Sequence, residues 1–125
     1  MAACLFVGLG GFVGAVGRYL LSLLPISREF PFATLLTNLL GAALIGFLAA
    51  IAEMAFPAMP NLLLFLKTGV CGGFTTFSTF SLETVSLFEK GKPLLGAVYI
   101  VLSVLLCLGG VFLGKWLGRL FANRV

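Results

Sequence analysis

The residues best suited to chemistry in this sequence form a short polar stretch, Gly69–Phe80, inside a long apolar segment. It contains the glycine pair Gly72–Gly73, and seven hydroxyl residues follow within positions 75–86. This composition favours a break in a membrane-spanning helix, and backbone that leaves the helix in hydrocarbon is tolerated only where protein or a water-filled cavity surrounds it. A polar break at mid-membrane is therefore a candidate site for an ion or a polar substrate.

Hydrogen-bonding side chains recur at helical spacing around this break. Three sets have members three or four residues apart: Thr76, Thr79, Glu83 and Ser86; Thr34 and Asn38; Tyr99, Ser103 and Cys107. Residues at this spacing share one face of a helix. Phe77 and Phe80 are three apart and lie on a face adjoining the first set. The pattern predicts a polar track with aromatic walls rather than a closed catalytic pocket.

Glu83 is the strongest single candidate among these side chains. A carboxylate inside a span costs about 2.5 kcal/mol or more on insertion scales, and such residues usually face a cavity or a partner. Asn38 has two interpretations that the sequence leaves open, as a pathway residue or as a hydrogen bond between helices. Serine and threonine also bond to carbonyls of their own helix, which accounts for part of the hydroxyl set.

The composition defines the class as an integral membrane protein. Of the 125 residues, 61% are hydrophobic and 10% are charged, with a mean hydropathy of +1.20. The chain has no histidine, which removes imidazole chemistry, and its three cysteines have no zinc-site spacing, so we expect reduced thiols and no enzyme. The basic residues lie near predicted helix ends, where phospholipid headgroups explain them better than nucleic acid does.

Four apolar segments predict an all-α membrane protein with a single domain over residues 1–125. The predicted helices cover about 2–24, 32–56, 61–88 with a break at 72–76, and 94–121. Pro25, Pro57 and Pro60 separate the first three segments, and Glu89–Pro93 is a predicted turn before the fourth. The first segment lacks a basic start and a clear cleavage site, so we expect it to be retained rather than removed as a signal peptide.

Basic residues are balanced between the two sides of such a four-span chain. One side carries Arg18, Arg28, Lys90 and Lys92, and the other carries Lys67, Lys115, Arg119 and Arg124. The excess of positive charge that normally fixes orientation is therefore nearly absent. The balance arises either by chance or because the protein inserts both ways up and pairs as an antiparallel homodimer.

Glycines four residues apart mark two faces for close helix packing. They are Gly10 and Gly14 in the first segment, and Gly110, Gly114 and Gly118 in the fourth. For any single pair, packing within the chain is the simpler interpretation. Because four helices alone do not enclose a wide pore, we also expect some of these faces to meet a second subunit.

The donors around the break suit a small, strongly hydrated anion. Hydroxyls, the Asn38 amide and the Tyr99 phenol are neutral donors, and aromatic ring edges carry partial positive charge. They replace water without a full cation that would trap the ion, and conduction needs binding of that intermediate strength. Carbonyls freed around Gly72–Thr75 would suit a hard cation such as Na⁺. In an antiparallel dimer the break would meet its own copy, and one cation could serve both.

Over nearly its whole length the sequence resembles the Fluc/CrcB family of fluoride channels. The most specific match is Gly72-Gly73-Phe74-Thr75-Thr76-Phe77-Ser78-Thr79-Phe80. Further matches run from Gly10 to Tyr19 and from Phe30 through Thr34 and Asn38 to Gly41.

This resemblance implies a dual-topology homodimer in the plasma membrane of a prokaryote that exports fluoride passively, with no soluble partner. It implies a structural Na⁺ at the dimer centre, held by the main-chain oxygens of Gly72 and Thr75. It places Arg18 in a vestibule. The implied fluoride pathway comprises Asn38, Phe77, Ser78, Thr79, Phe80, Glu83, Tyr99 and Ser103.

Two positions depart from the family pattern. Ala33 stands where glycine usually precedes the threonine of the second helix, and Cys107 stands where a serine is expected. A thiol is a weaker donor than a hydroxyl, so the anion contact expected at position 107 is weakened.

Two other functions fit a four-span chain. A proton-coupled exporter like the small multidrug resistance proteins would need a carboxylate in the first helix, and residues 2–24 contain none. A non-transporting membrane assembly factor is the other alternative, and normal cell growth in fluoride after deletion, with no second exporter to mask the loss, would keep it open.

Overall fold

Apolar length and proline placement determine where the helices of this chain lie. The computed structural model describes residues 1–26, 29–54 and 59–124, and only the backbone of residues 53 and 54. Within this part of the chain every regular element is a helix. Four helical segments are long and apolar enough to cross a membrane: Ala2–Ser22, Phe32–Ala52, Pro60–Glu89 and Pro93–Ala122. The predicted all-α fold with four transmembrane segments is confirmed, and the protein is a multi-pass integral membrane protein.

The first, second and fourth spans are single helices. They are α1 (Ala2–Ser22), α2 (Phe32–Met54) and, after the third span, α6 (Pro93–Ala122). Helix α1 ends two residues before the predicted position 24, because Pro25 disfavours helical geometry at the residue before it. The predicted end of the second helix at 56, the loop residues 27–28 and Pro57 lie outside the described residues.

The third span is segmented. It begins with α3 (Pro60–Leu63), passes into a π-helix (Leu64–Cys71) and then into the single turn α4 (Gly72–Phe74). Thr75 and Thr76 are extended, and α5 (Phe77–Glu89) completes the span. The third helix is therefore broken, at the last part of the predicted 72–76 interval.

The Glu89–Pro93 segment turns the chain between α5 and α6. Gly91 has a φ of 69°, a left-handed conformation that glycine adopts at no steric cost. The Lys92 Nζ lies 3.6 Å from the Glu29 Oε1, an exposed ion pair that joins this turn to the loop before α2. Exposed pairs of this kind contribute about 0–1 kcal/mol.

The helices pack in two pairs, and glycine lines both contacts. Helix α1 lies along the π-helix and α4, and α2 lies along α6. A methyl group at Gly10 or Gly14 would collide with backbone of residues 65–74, and one at Gly114 would collide with the Ala43 carbonyl oxygen. Gly110 and Gly118 also face α2. Both glycine stripes therefore serve packing within the chain, and the expectation that these glycine contacts meet a second subunit is wrong.

Replacement of Gly114 should lower stability, whereas the same replacement at Gly109 should not. A Cβ at Gly109 meets no atom within 4 Å, while one at Gly114 meets α2 backbone. We expect Gly114→Ala to destabilise by about 1–3 kcal/mol, as overpacked sites do, and Gly109→Ala to be neutral or stabilising. Thermal unfolding in detergent measures both, and equal melting temperatures would contradict the assigned contact.

Candidate functional site

Threonine forms the break in the third span. Thr75 has φ −78° and ψ 155°, and Thr76 has φ −150° and ψ 115°, so both leave helical geometry. The Thr76 Oγ1 accepts a hydrogen bond from the Thr79 N–H at 3.1 Å, which makes Thr76 the N-cap of α5. Threonine is a preferred N-cap because its hydroxyl satisfies a backbone donor that has no partner within the helix. The second half of the span therefore begins as a new helix.

The π-helix before the break was not predicted. It covers Leu64–Cys71, and it presents Gly69 to Gly10 of α1 at backbone contact distance. Helices of this type are rare and occur frequently at functional sites. No local sequence signal distinguishes this segment from an α-helix, and in the structure it packs along α1.

Asn38 fixes the break to α2. Its Nδ2 donates to the Thr76 carbonyl oxygen at 3.1 Å, and its Oδ1 accepts from the Thr76 N–H at 2.8 Å. Both polar groups of one extended residue are thus satisfied by one side chain. An unsatisfied backbone group in hydrocarbon costs several kcal/mol. Asn38 accordingly acts as a bond between helices here, one of the two roles that the sequence left open.

The same bonds divert donors from two carbonyl groups. In a continuous helix the Thr76 N–H would donate to Gly72 and the Thr79 N–H to Thr75. These N–H groups donate instead to the Asn38 Oδ1 and to the Thr76 Oγ1. The carbonyl oxygens of Gly72 and Thr75 thereby lose their regular donors. The residues that the structure describes form no cluster of three His, Cys, Asp or Glu side chains, so a cation at the break would rest on main-chain oxygens of this kind.

A cavity of about 310 Å³, here called the aromatic cleft, opens on one side of the break. The predicted site residues that line it are Asn38, Phe77, Phe80 and Ser103, together with Thr75, Thr76 and Cys107. The rings of Phe77 and Phe80 lie 5.5 Å apart between centroids and are tilted by 42°. Phe77 is 79% exposed in the single chain, so the cleft is open toward the outside of the helix bundle.

A second cavity of about 260 Å³, the arginine vestibule, shares Thr76 with the aromatic cleft. Arg18 and Thr79 line it, together with Thr34, Thr37 and Thr76. The Arg18 Nε donates to the Gly73 carbonyl oxygen at 3.3 Å. Arg18 therefore lies against α4, just before the break, and contributes positive charge to the cavity that it lines.

Glu83 is bound by two hydroxyl groups from other helices. The Thr34 Oγ1 donates to its Oε1 at 2.8 Å, and the Tyr99 hydroxyl donates to its Oε2 at 2.7 Å. Tyr99 is fully buried, with its ring 5.1 Å from that of Phe80 and 5.4 Å from that of Phe30. Glu83 also lines a third cavity of about 380 Å³ that includes Lys90 and reaches the loop before α2.

The predicted polar track and its aromatic walls open to different cavities of the single chain. Thr79 lies in the arginine vestibule and Glu83 in the third cavity, whereas Phe77 and Phe80 lie in the aromatic cleft. Ser78 is exposed, with its Oγ 3.3 Å from the Thr76 Oγ1. Thr76, the N-cap of α5, lines both the vestibule and the cleft. The polar face and the aromatic face of α5 therefore adjoin at this residue.

Thr34 belongs to the site, although the sequence analysis did not place it among the pathway residues. The sequence did contain a signal for Thr34, because this residue shares a helical face with Asn38. The contact with Glu83 was not visible, since it depends on how α2 and α5 pack. Cys107 likewise lines the aromatic cleft, one turn beyond Ser103.

Comparison with known proteins identifies the family. A sequence model described as "CrcB-like protein, Camphor Resistance (CrcB)" matches residues 5–115. The chain is 53% identical over 120 residues to a protein of Ruminiclostridium cellulolyticum named "Fluoride-specific ion channel FluC", a match that covers 94% of this chain and 92% of the relative. It is 45% identical over 124 residues to a protein of the same name from Chlorobium chlorochromatii, covering 98% and 93%. The chain therefore belongs to the CrcB family, whose members named here are ion channels and not enzymes.

Proposed function

We propose that this protein is a fluoride channel that lets fluoride leave the cytoplasm passively across the plasma membrane of a prokaryote. The observation that carries the proposal is the broken third span, whose extended residue Thr76 is fixed by Asn38 beside a cleft lined by aromatic rings and hydroxyls. The relatives named as fluoride-specific ion channels support the choice of ion.

The described residues of the cleft offer an anion neutral hydrogen-bond donors and no fully charged cation. Among the described lining residues its polar groups are an amide, hydroxyls and a thiol, with the rings of Phe77 and Phe80 beside them, and the edges of such rings carry partial positive charge. Neutral donors bind fluoride weakly enough for release, as conduction requires. Arg18 raises the local anion concentration in the vestibule. The proposed pathway residues are those expected from the sequence: Asn38, Phe77, Ser78, Thr79, Phe80, Glu83, Tyr99 and Ser103.

Glu83 holds two hydroxyl donors, that of Tyr99 on the proposed pathway and that of Thr34 beside it. A hydroxyl hydrogen serves one acceptor at a time, and those of Thr34 and Tyr99 are directed to the carboxylate. For these hydroxyls to bind fluoride, the carboxylate must release them. Glu83 therefore stores two neutral donors inside the span, where unpaired hydroxyls would be costly.

An antiparallel homodimer would complete the pathway. The aromatic cleft is open in the single chain, and Phe77 is 79% exposed at its edge. The balanced basic residues are compatible with insertion in both orientations. Two inverted copies would bring their breaks together and give two equivalent pathways, with no soluble partner needed.

A structural Na⁺ at the dimer centre would be held by the carbonyl oxygens of Gly72 and Thr75. Both oxygens have lost their helical donors, and a Cβ at Gly72 would meet no atom within 4 Å, so space is open beside it. Carbonyl oxygens suit a hard cation of this kind. The cation would take the place of the helical donors that these two oxygens have lost.

Liposomes that contain the purified protein should release fluoride under a fluoride gradient when charge balance is supplied. Flux should exceed that of empty liposomes and of chloride-loaded liposomes, because the cleft fits a small, strongly hydrated anion. A fluoride electrode measures fluoride release, and a chloride electrode measures release from the chloride-loaded liposomes. Fluoride flux equal to that of empty liposomes would refute the channel proposal.

Matched phenylalanine variants test the pathway in the same assay. Phe77→Ile and Phe80→Ile remove ring edges from the cleft and should slow flux by about tenfold or more, since each ring edge contributes part of the anion binding. Phe112→Ile alters a ring that is 75% exposed on α6 and should conduct as the unmodified protein does. Equal slowing of fluoride flux by all three substitutions would indicate a general packing effect rather than a pathway role for Phe77 and Phe80.

Sodium should stabilise the assembled protein if the carbonyl site binds it. Protein kept free of Na⁺ from extraction onward should melt at a higher temperature in NaCl than in N-methylglucamine chloride of equal ionic strength. A ligand at one hundred times its Kd adds about 2.7 kcal/mol. Identical melting curves in the two salts would count against the site.

Orientation is tested by tags at the C-terminus. Reporters on the unmodified protein should detect both orientations in the membrane, whereas neutral replacements of Lys90 and Lys92 should favour one orientation and lower flux. Neutral replacement of both Lys115 and Arg119 should shift the balance the opposite way. A single orientation of the unmodified protein would contradict dual topology.

A further inference from the structure

Cys107 differs from the other two thiols of the chain in its surroundings. It is partly exposed and lines the aromatic cleft, on the wall formed by α6. Cys71 is only 1% exposed, packed where the π-helix meets α1 and α4. Cys4 is exposed near the start of α1. Among the three, Cys107 is the thiol that a small solute in the cleft can reach.

Ser103 adds an independent sign that the cleft holds a ligand. It is 7% exposed, lines the same cleft and lies one helical turn before Cys107. Its Oγ is buried and has no hydrogen-bond partner within residues 1–26, 29–54 and 59–124. A buried hydroxyl without a partner costs about 1–3 kcal/mol by mutational data, so an occupant of the cleft that contacts this oxygen is favoured.

We infer that Cys107 is a binding site for soft, thiophilic metal ions such as Hg²⁺ and that occupancy closes the ion pathway. Thiolate sulfur is a preferred ligand of soft metals. With mercuric chloride, the Cys107 thiol loses its proton, a sulfur–mercury bond forms and one chloride leaves, giving a thiolate–Hg–Cl adduct, HCl and no change of oxidation state. The Ser103 oxygen lies on the same helical face and provides a second, weaker contact.

Closure follows from the size of the adduct and from the Lewis acidity of its mercury. The cleft has a volume of about 310 Å³ and is shared with Asn38, Phe77 and Phe80. A bound metal and its chloride occupy space that the anion needs. The adduct is neutral overall, but its two-coordinate mercury is a Lewis acid that holds an anion more strongly than the neutral donors do, which also opposes conduction. The proposal that Cys107 binds the metal depends only on the residues that line the cleft. The proposal that binding closes the pathway rests on the proposed channel function.

The test uses the reconstituted full-length protein with mercuric chloride. Fluoride flux of the unmodified protein should fall by about tenfold or more, because the adduct blocks the cleft, and excess dithiothreitol should restore it. Cys4→Ser should lose flux in the same way. Cys107→Ser, which keeps a side chain of similar size, should retain its own untreated flux when mercury is added.

A second measurement separates binding from conduction. Peptide mass spectrometry should show that mercury protects Cys107 from alkylation. An adduct at Cys107 with unchanged flux would overturn the closure, and inhibition that persists in Cys107→Ser would overturn the assigned site. If the untreated protein conducts no fluoride, the channel proposal fails. In that case the alkylation experiment still tests the metal site. Protection of Cys107 by mercury would support the site, and alkylation of Cys107 undiminished by mercury would refute it.

Discussion

The pairing of the Asn38 amide with both backbone groups of Thr76 is the interaction on which the rest of the site depends. It allows two residues to leave helical geometry inside hydrocarbon, where unpaired peptide groups are too costly to persist. It also redirects the Thr76 N–H, which removes the regular helical donor of the Gly72 carbonyl oxygen. The aromatic cleft, the arginine vestibule and the candidate cation ligands all adjoin this one extended segment.

Glycine packing supplies the rigid frame for that segment. Helix α1 is held against the π-helix and α4, and α2 is held against α6, by contacts too close for a methyl group. Asn38 extends from α2 to the break, so it links the two helix pairs at their junction. Small displacements of either pair would therefore alter the geometry of the break, which explains why close contacts lie on both sides of it.

The sequence predicts the positions of the membrane spans and of the break better than it predicts the contacts between them. Hydropathy and proline placement locate the spans, and the glycine pair with its hydroxyls locates the break, because these are local properties of the chain. Helical spacing places Thr34 and Asn38 on one face but does not identify their partners, Glu83 and Thr76, since these depend on how α2 meets the third span. The π-helix and the separation of Thr79 from Phe80 into different cavities arise from the same tertiary packing.

The order of the two bonded residues along the chain has a consequence for biogenesis. Asn38 belongs to the second span and Thr76 to the third, so the ribosome delivers the amide to the membrane before the segment that needs it. The break therefore enters a bilayer in which its partner is already present. A circular permutation that placed the third span first would remove this advantage and expose two unpaired peptide groups during insertion.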